Sequence, residues 1–215
     1  MLHVQAQQKP KQDSIAPIYI KNIRFETDVA SLLANALYNG ERYNYESAIV
    51  VDINRSYMPV LEFGFGGADY TSSALTSFKG EGIFSKIGLD FNLMKPEKDK
   101  PLSTNLFYAG VRFGLSAINY NYLNFKLKND YWNEYQQNDY LDLKQTSVWF
   151  ELVAGMRVEV SKNVYMGWTV RNKNIIGDPK PGEFHPWYVP GFGRKGEGNN
   201  WTINYAIGYK INMRN

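Results

Sequence analysis

Apolar and polar residues alternate with a period of two in eight segments of the chain: residues 23–29, 47–54, 60–66, 84–94, 106–121, 147–160, 164–173 and 201–213. Such alternation sends successive side chains to opposite faces of an extended backbone, so each segment is predicted to be a β-strand. Residues 7–20 are polar, carry Pro10 and Pro17 and show no period, which predicts a leader. Val4-Gln5-Ala6 resembles the small-residue end of a secretory signal. Residues 1–22 are therefore assigned to a signal-peptide remnant and leader, and residues 23–215 to one barrel domain. The apolar residues of 30–38 either extend the first strand or form a short helix at the outer rim.

The links between segments also alternate. The second, fourth and sixth (55–59, 95–105 and 161–163) read as shorter than their neighbours. The first, third, fifth and seventh read as longer and rich in Tyr, Asn, Gly and Trp, notably 122–146 and 174–200. Short turns on one rim and long loops on the other are the plan of an outer-membrane barrel, and neighbour-to-neighbour hairpins are the least costly way to pair such strands.

One face of every segment is free of charge, for example Phe107, Ala109, Val111, Phe113, Leu115 and Ala117. With 21% of the chain charged, about eight of the residues on these faces would be charged if the faces were mixed, so the segregation is real. The opposite face carries Arg24, Lys86, Arg112, Arg157, Arg171, Lys173 and Lys210 against Glu26, Asp28, Asp52, Glu62, Asp90, Glu151 and Glu159. Opposite charges in balance are what an enclosed polar interior requires, because a buried charge without a partner costs several kcal/mol. Glu62, Arg112, Glu151 and Arg157 are expected near mid-height.

A soluble barrel of the lipocalin kind would show the same alternation turned inside out. Glycine separates the two. Gly64, Gly66, Gly88, Gly110, Gly114, Gly155, Gly167 and Gly208 all lie on the charged face, and small residues are needed where side chains crowd toward a narrow axis. The charged face is therefore predicted to be concave, leaving large apolar side chains to meet lipid.

Composition agrees with this picture. A chain of 215 residues suits a single domain, and 15% aromatic residues with a negative mean hydropathy of −0.43 suit many strands with polar extensions. The net charge of +3 is scattered, so no basic arm points to nucleic acid. With no cysteine, thiolate metal sites and cysteine nucleophiles are excluded.

Catalytic material is sparse. His3 lies in the leader and His185 in the last long link, with no partner spacing for a triad. Gly191-Phe192-Gly193-Arg194-Lys195-Gly196 lacks the Gly-Lys-Ser/Thr ending of a phosphate loop. No cofactor or metal is expected. An eight-stranded barrel is filled by its own side chains, which argues against a general pore. The outer loops remain for recognition, through Tyr131, Trp132, Tyr135 and Tyr140 in one, and Phe184, His185, Trp187, Tyr188 and Phe192 in another. These aromatic residues either anchor a partner or pack together over the barrel mouth.

The runs GMRVEVSKNVYMGWTVR (155–171), HPWYVPGFG (185–193) and INYAIGYKI (203–211) resemble an uncharacterised family of outer-membrane β-barrels from the Bacteroidota. The resemblance implies fold and location and transfers no catalytic residue. The sequence thus predicts an all-β protein, an eight-stranded antiparallel up-and-down transmembrane β-barrel with a charge-paired interior, integral to the outer membrane. Its expected role is that of a non-enzymatic anchor, scaffold or accessory subunit of an envelope complex, with outer-membrane lipid and other envelope proteins as partners. An envelope lipid-modifying enzyme and a soluble lipocalin-like carrier are the alternatives.

Overall fold

The computed structural model describes residues 19–31, 33, 41–73, 75–94, 105–129, 134–177, 185–195 and 199–213. Eight strands close a barrel: β1 (Ile20–Asp28), β2 (Arg42–Ile53), β3 (Tyr57–Thr71), β4 (Ser77–Asn92), β5 (Leu106–Asn129), β6 (Glu134–Ser161), β7 (Val164–Ile176) and β10 (Asn199–Asn212). Each pairs antiparallel with its sequence neighbour in the wall, and β1 closes the ring on β10 from Asn22↔Asn212 to Asp28↔Ala206. The two-residue strands β8 (Tyr188–Val189) and β9 (Gly193–Arg194) form a small hairpin apart from the wall.

The inner-rim turns use residues that tolerate left-handed backbone. Asn54 and Arg55 have φ of 51° and 56°, and the Ser56 amide donates to the Ile53 carbonyl at 3.1 Å, a type I′ turn whose twist matches the flanking strands. Asn163 does the same at φ 65° between β6 and β7.

The expected regular alternation of short and long links is corrected by the structure. The third link shrinks to residues 72–76 and the fifth to 130–133, because β3, β4, β5 and β6 run on through segments read as loops. Above the apolar zone both faces of these strands carry polar or aromatic residues, so the period-two signal fades while backbone pairing continues. Two irregularities bend the β5–β6 hairpin there. Asn121 Oδ1 accepts the Asp142 amide at 2.7 Å and Asp139 Oδ1 accepts the Asn124 amide at 2.8 Å, satisfying groups the ladder leaves open. The first strand begins at Ile20, inside the predicted leader. Of the ambiguous stretch, Ala30, Ser31 and Leu33 are helical, and the rest lies outside the described residues.

Orientation follows the glycine argument. Large apolar side chains face outward, with Ile83 67% and Ile87 66% exposed, while Lys86, Asp90, Arg112 and Glu151 are buried. The register explains the glycines one by one. Gly88 lies opposite Arg112, Gly114 opposite Trp149, Gly155 opposite Tyr108 and Gly208 opposite Tyr165. A Cβ on each of these glycines would stand 2.2–2.6 Å from its partner's side chain. Each bulky inward side chain therefore lies sideways across a glycine of the adjacent strand, which is how so narrow an interior holds it.

Candidate functional site

The interior of the wall holds a continuous ionic column. Near the inner rim Arg24 pairs with Asp52 at 2.9 Å, and Asn22 donates to the same carboxylate at 3.1 Å. Arg157 Nε meets Glu26 Oε1 at 2.7 Å, Tyr165 donates its hydroxyl to that oxygen at 2.8 Å, and the guanidinium lies 4.0 Å from the Tyr108 ring centroid. Asp90 links Arg157 (3.4 Å) to Arg112 (2.7 Å), and Arg112 Nε reaches Glu62 Oε1 at 3.1 Å. Glu62 also takes Arg171 at 2.7 Å and Lys86 at 3.1 Å. Those two cations in turn share Glu46 and Glu151, and Trp149 Nε1 donates to Glu151 at 2.7 Å.

Glu46 escapes the sequence reading because the second segment starts at residue 47, five residues after β2 begins, although Glu46 is in phase with Ala48, Val50 and Asp52. Other predicted members sit apart from the column. Lys210 and Glu159 pair at 2.7 Å near the inner rim. Asp28 accepts from the Ala30 amide, Ser31 and Asn204, so it caps the turn leaving β1. Lys173 donates to the Gly191 carbonyl at 2.7 Å.

Apolar layers seal the column on both sides. Val50, Met58, Val60, Leu106 and Val153 pack in the inner half, while Phe84, Trp149, Val189 and Phe192 close it from above. The cavity left among Glu26, Glu62, Arg112, Arg157 and Arg171 is about 20 Å³, room for one water molecule. Ions shut off from water interact more strongly and lose more when a partner is removed. The interior is thus filled by both ion pairs and aromatic rings.

The upper seal comes from the last outer link, which folds back into the mouth. Its Val189 and Phe192 are buried, and Phe192 meets Trp149 edge to face at 6.0 Å. Polar ties hold it: the Gly191 amide donates to Asn44 Oδ1 at 3.1 Å, and Asn200 donates to the Phe192 carbonyl at 3.1 Å. Gly191 has φ 77°, and a Cβ there would stand 2.6 Å from the Phe84 ring, so glycine is required twice over. Trp187 stacks on Tyr70 at 4.6 Å, and Tyr122 donates its hydroxyl to the His185 carbonyl at 2.6 Å. Among the loop residues singled out by sequence, Trp187, Tyr188, Phe192 and His185 therefore belong to the stopper. Tyr140 packs edge to face on Phe125 in the β5–β6 hairpin. Tyr131, Trp132, Phe184 and the side chain of Tyr135 lie outside the described residues. Among the described residues no cluster of His, Asp and Glu could hold a metal ion.

Two expected results test the stopper. Asn44→Ala removes one hydrogen-bond acceptor and is expected to cost about 1 kcal/mol of local stability, read as faster amide hydrogen exchange at Gly191 with exchange in the wall unchanged. Burial above the column also raises two phenols, Tyr188 and Tyr122, the latter to about 12, with Tyr120 adding to the shift. A phenol whose folded value is raised stabilises the fold below its ordinary range near pH 10 and loses that contribution as pH climbs toward 12. Ultraviolet titration of phenolate is expected to show a late-ionising group that Tyr122→Phe removes.

No curated protein matches the chain. Among solved structures it is similar to the N-terminal β-barrel domain of Pseudomonas aeruginosa OprF, with a TM-score of 0.42, 10% identity, and coverage of 89% of this chain and 98% of that one. It is also similar to Neisserial surface protein A (NspA), with a TM-score of 0.38, 12% identity, and coverage of 91% and 97%. The family described as "Domain of unknown function (DUF6048)" matches residues 1–215, and the chain belongs to it.

Proposed function

We propose that this chain is an integral outer-membrane barrel that serves as a closed, non-enzymatic anchor, presenting its long β5–β6 hairpin and stopper outward to other envelope proteins. The observation that carries this reading is the inverted polarity of the wall: ions at the axis, large apolar side chains outside. From Ile83 in β4 to Leu93 just past its end, the outward face is dominated by apolar residues, a length of about 34 Å along the chain and about 26 Å along the axis at a tilt near 40°. That matches the apolar band of a barrel in lipid. Exposed aromatic residues flank it, with Tyr57, Phe107 and Tyr209 toward the inner rim and Trp201 toward the outer. Strands of 24 and 28 residues in β5 and β6 exceed the ~10 needed to span a bilayer, so the surplus projects beyond the lipid.

Reconstitution tests it. The refolded chain is expected to insert into phospholipid vesicles, to migrate differently on a gel before and after heating, and to leave planar bilayers at baseline conductance. Persistence in the aqueous phase without detergent would refute the membrane role, and steady ion currents would refute the closed interior.

A further inference from the structure

Two guanidinium groups converge on one indole ring at the outer mouth. Arg42 opens β2 in the wall, and Arg194 ends the small β8–β9 hairpin of the stopper, far away in the chain. Their central carbons lie 5.9 Å and 5.5 Å from the centroid of the Trp187 ring. Tyr70 stacks on that ring with an interplanar angle of 7°. One face of the indole is therefore covered, and both cations share the space that remains. The glycine-rich run 191–196, which lacks the ending of a phosphate loop, builds half of this arrangement. Gly191 and Gly193 take φ of 77° and 110°, a backbone that favours glycine, and the turn they make brings Arg194 back over Trp187. The Lys195 amide donates to the Trp187 carbonyl at 2.9 Å, which fixes the hairpin and adds a third positive charge to the same rim.

Each guanidinium gains from the ring, but two like charges on one ring repel each other. Carboxylates beside them offset little of this. Glu41 and Asp69 lie next to Arg42, joined by a backbone hydrogen bond of 2.9 Å, yet Asp69 is taken by Lys79 at 3.2 Å. Among the described residues neither Glu41 nor Arg194 makes an ion pair, and the Arg194 side chain is exposed to the approach of a ligand. Three cations against Glu41 leave a local surplus of two positive charges. A phosphate monoester carries about −1.5 to −2 near pH 7, and its oxygens match the paired N–H donors of a guanidinium fork.

We propose that Arg42 and Arg194 together bind a phosphate monoester at the outer mouth, with Trp187 as the plate that holds both guanidinium groups in place. Arg42 belongs to the wall and Arg194 to the stopper, so a ligand held by both bridges the two. Binding then stabilises the closed mouth by mass action, because an opened stopper carries Arg194 away from Arg42. The site needs only the closed mouth and not the lipid around the wall. A phosphorylated sugar in solution and the phosphorylated head of a glycolipid present the same group to it.

Amide hydrogen exchange of the full chain in detergent micelles tests the assignment. Glucose 1-phosphate at about 1 mM is expected to slow exchange at the Gly191 and Lys195 amides about tenfold, the linkage for a dissociation constant of about 0.1 mM. Glucose, glucuronate and sodium chloride of equal ionic strength are expected to leave those rates within about twofold of the unliganded chain. Arg42→Gln and Arg194→Gln are each expected to abolish the slowing, with heat-dependent gel mobility showing that both variants are folded. A second arm adds lipid A, with and without its phosphates, to the same micelles. Slowing by phosphorylated lipid A alone would assign the site to a glycolipid head, and slowing by the sugar phosphate would assign it to a ligand from solution. No slowing in either arm, equal slowing by glucuronate or salt, or slowing that survives in both arginine variants would overturn the site.

Discussion

Arg112→Met is expected to lower the unfolding free energy by about 3 to 5 kcal/mol, the largest effect of any single change in the ionic column. Arg112 is the bridge between Asp90 and Glu62. Its loss does not leave the two acids in equal difficulty. Glu62 keeps Lys86 and Arg171, whereas Asp90 keeps only the long Arg157 contact at 3.4 Å among the ion pairs described. The cost therefore falls on Asp90, fully buried and deprived of its short pair. Adding Asp90→Asn to Arg112→Met replaces the stranded charge by a neutral amide and is expected to recover about half of the loss. Urea unfolding from phospholipid vesicles, followed by tryptophan fluorescence, measures both. A single variant as stable as the wild type would show that the column is not held by its charges, and a double variant no better than the single would move the strain away from Asp90.

The sequence reading located this column because strand periodicity fixes facing: residues two apart share a face regardless of what lies across the barrel. That is why twelve of the fourteen predicted positions form ion pairs within or near the wall in the structure, while Lys173 and Asp28 make charged hydrogen bonds instead. Pairing across the interior was not legible, because Arg157 reaches Glu26 over 131 residues of chain and only barrel closure brings them together. Glu46 was lost through a boundary placed five residues after β2 begins, and the β3–β4 and β5–β6 extensions through their weak alternation. The stopper escaped for a different reason. Val189 and Phe192 have no partner in sequence, and nothing short of the mouth formed by Phe84, Trp149 and Asn44 tells a returning loop from a projecting one.

Phe113→Arg is expected to cost about 2 to 4 kcal/mol when unfolding is measured from a bilayer, the depth-dependent penalty for a cation at the lipid midplane. Phe113 stands on a register row with Ile49, Leu61, Ile87 and Phe150, all apolar and all turned outward, and its own side chain is 58% exposed. In water a phenylalanine so exposed would contribute little, and arginine there would fall within about 0.5 kcal/mol of the wild type. The sign and size of one measurement thus distinguish lipid from water as the solvent of the wall. Asn119→Arg is the matched control, three rows toward the outer rim on the same strand and at the polar boundary, where the penalty fades to about 0 to 1 kcal/mol. A large cost at residue 113 with little at residue 119 fits a wall immersed in lipid up to the boundary row. Equal, small costs at both would mean that the apolar exterior meets something other than a membrane.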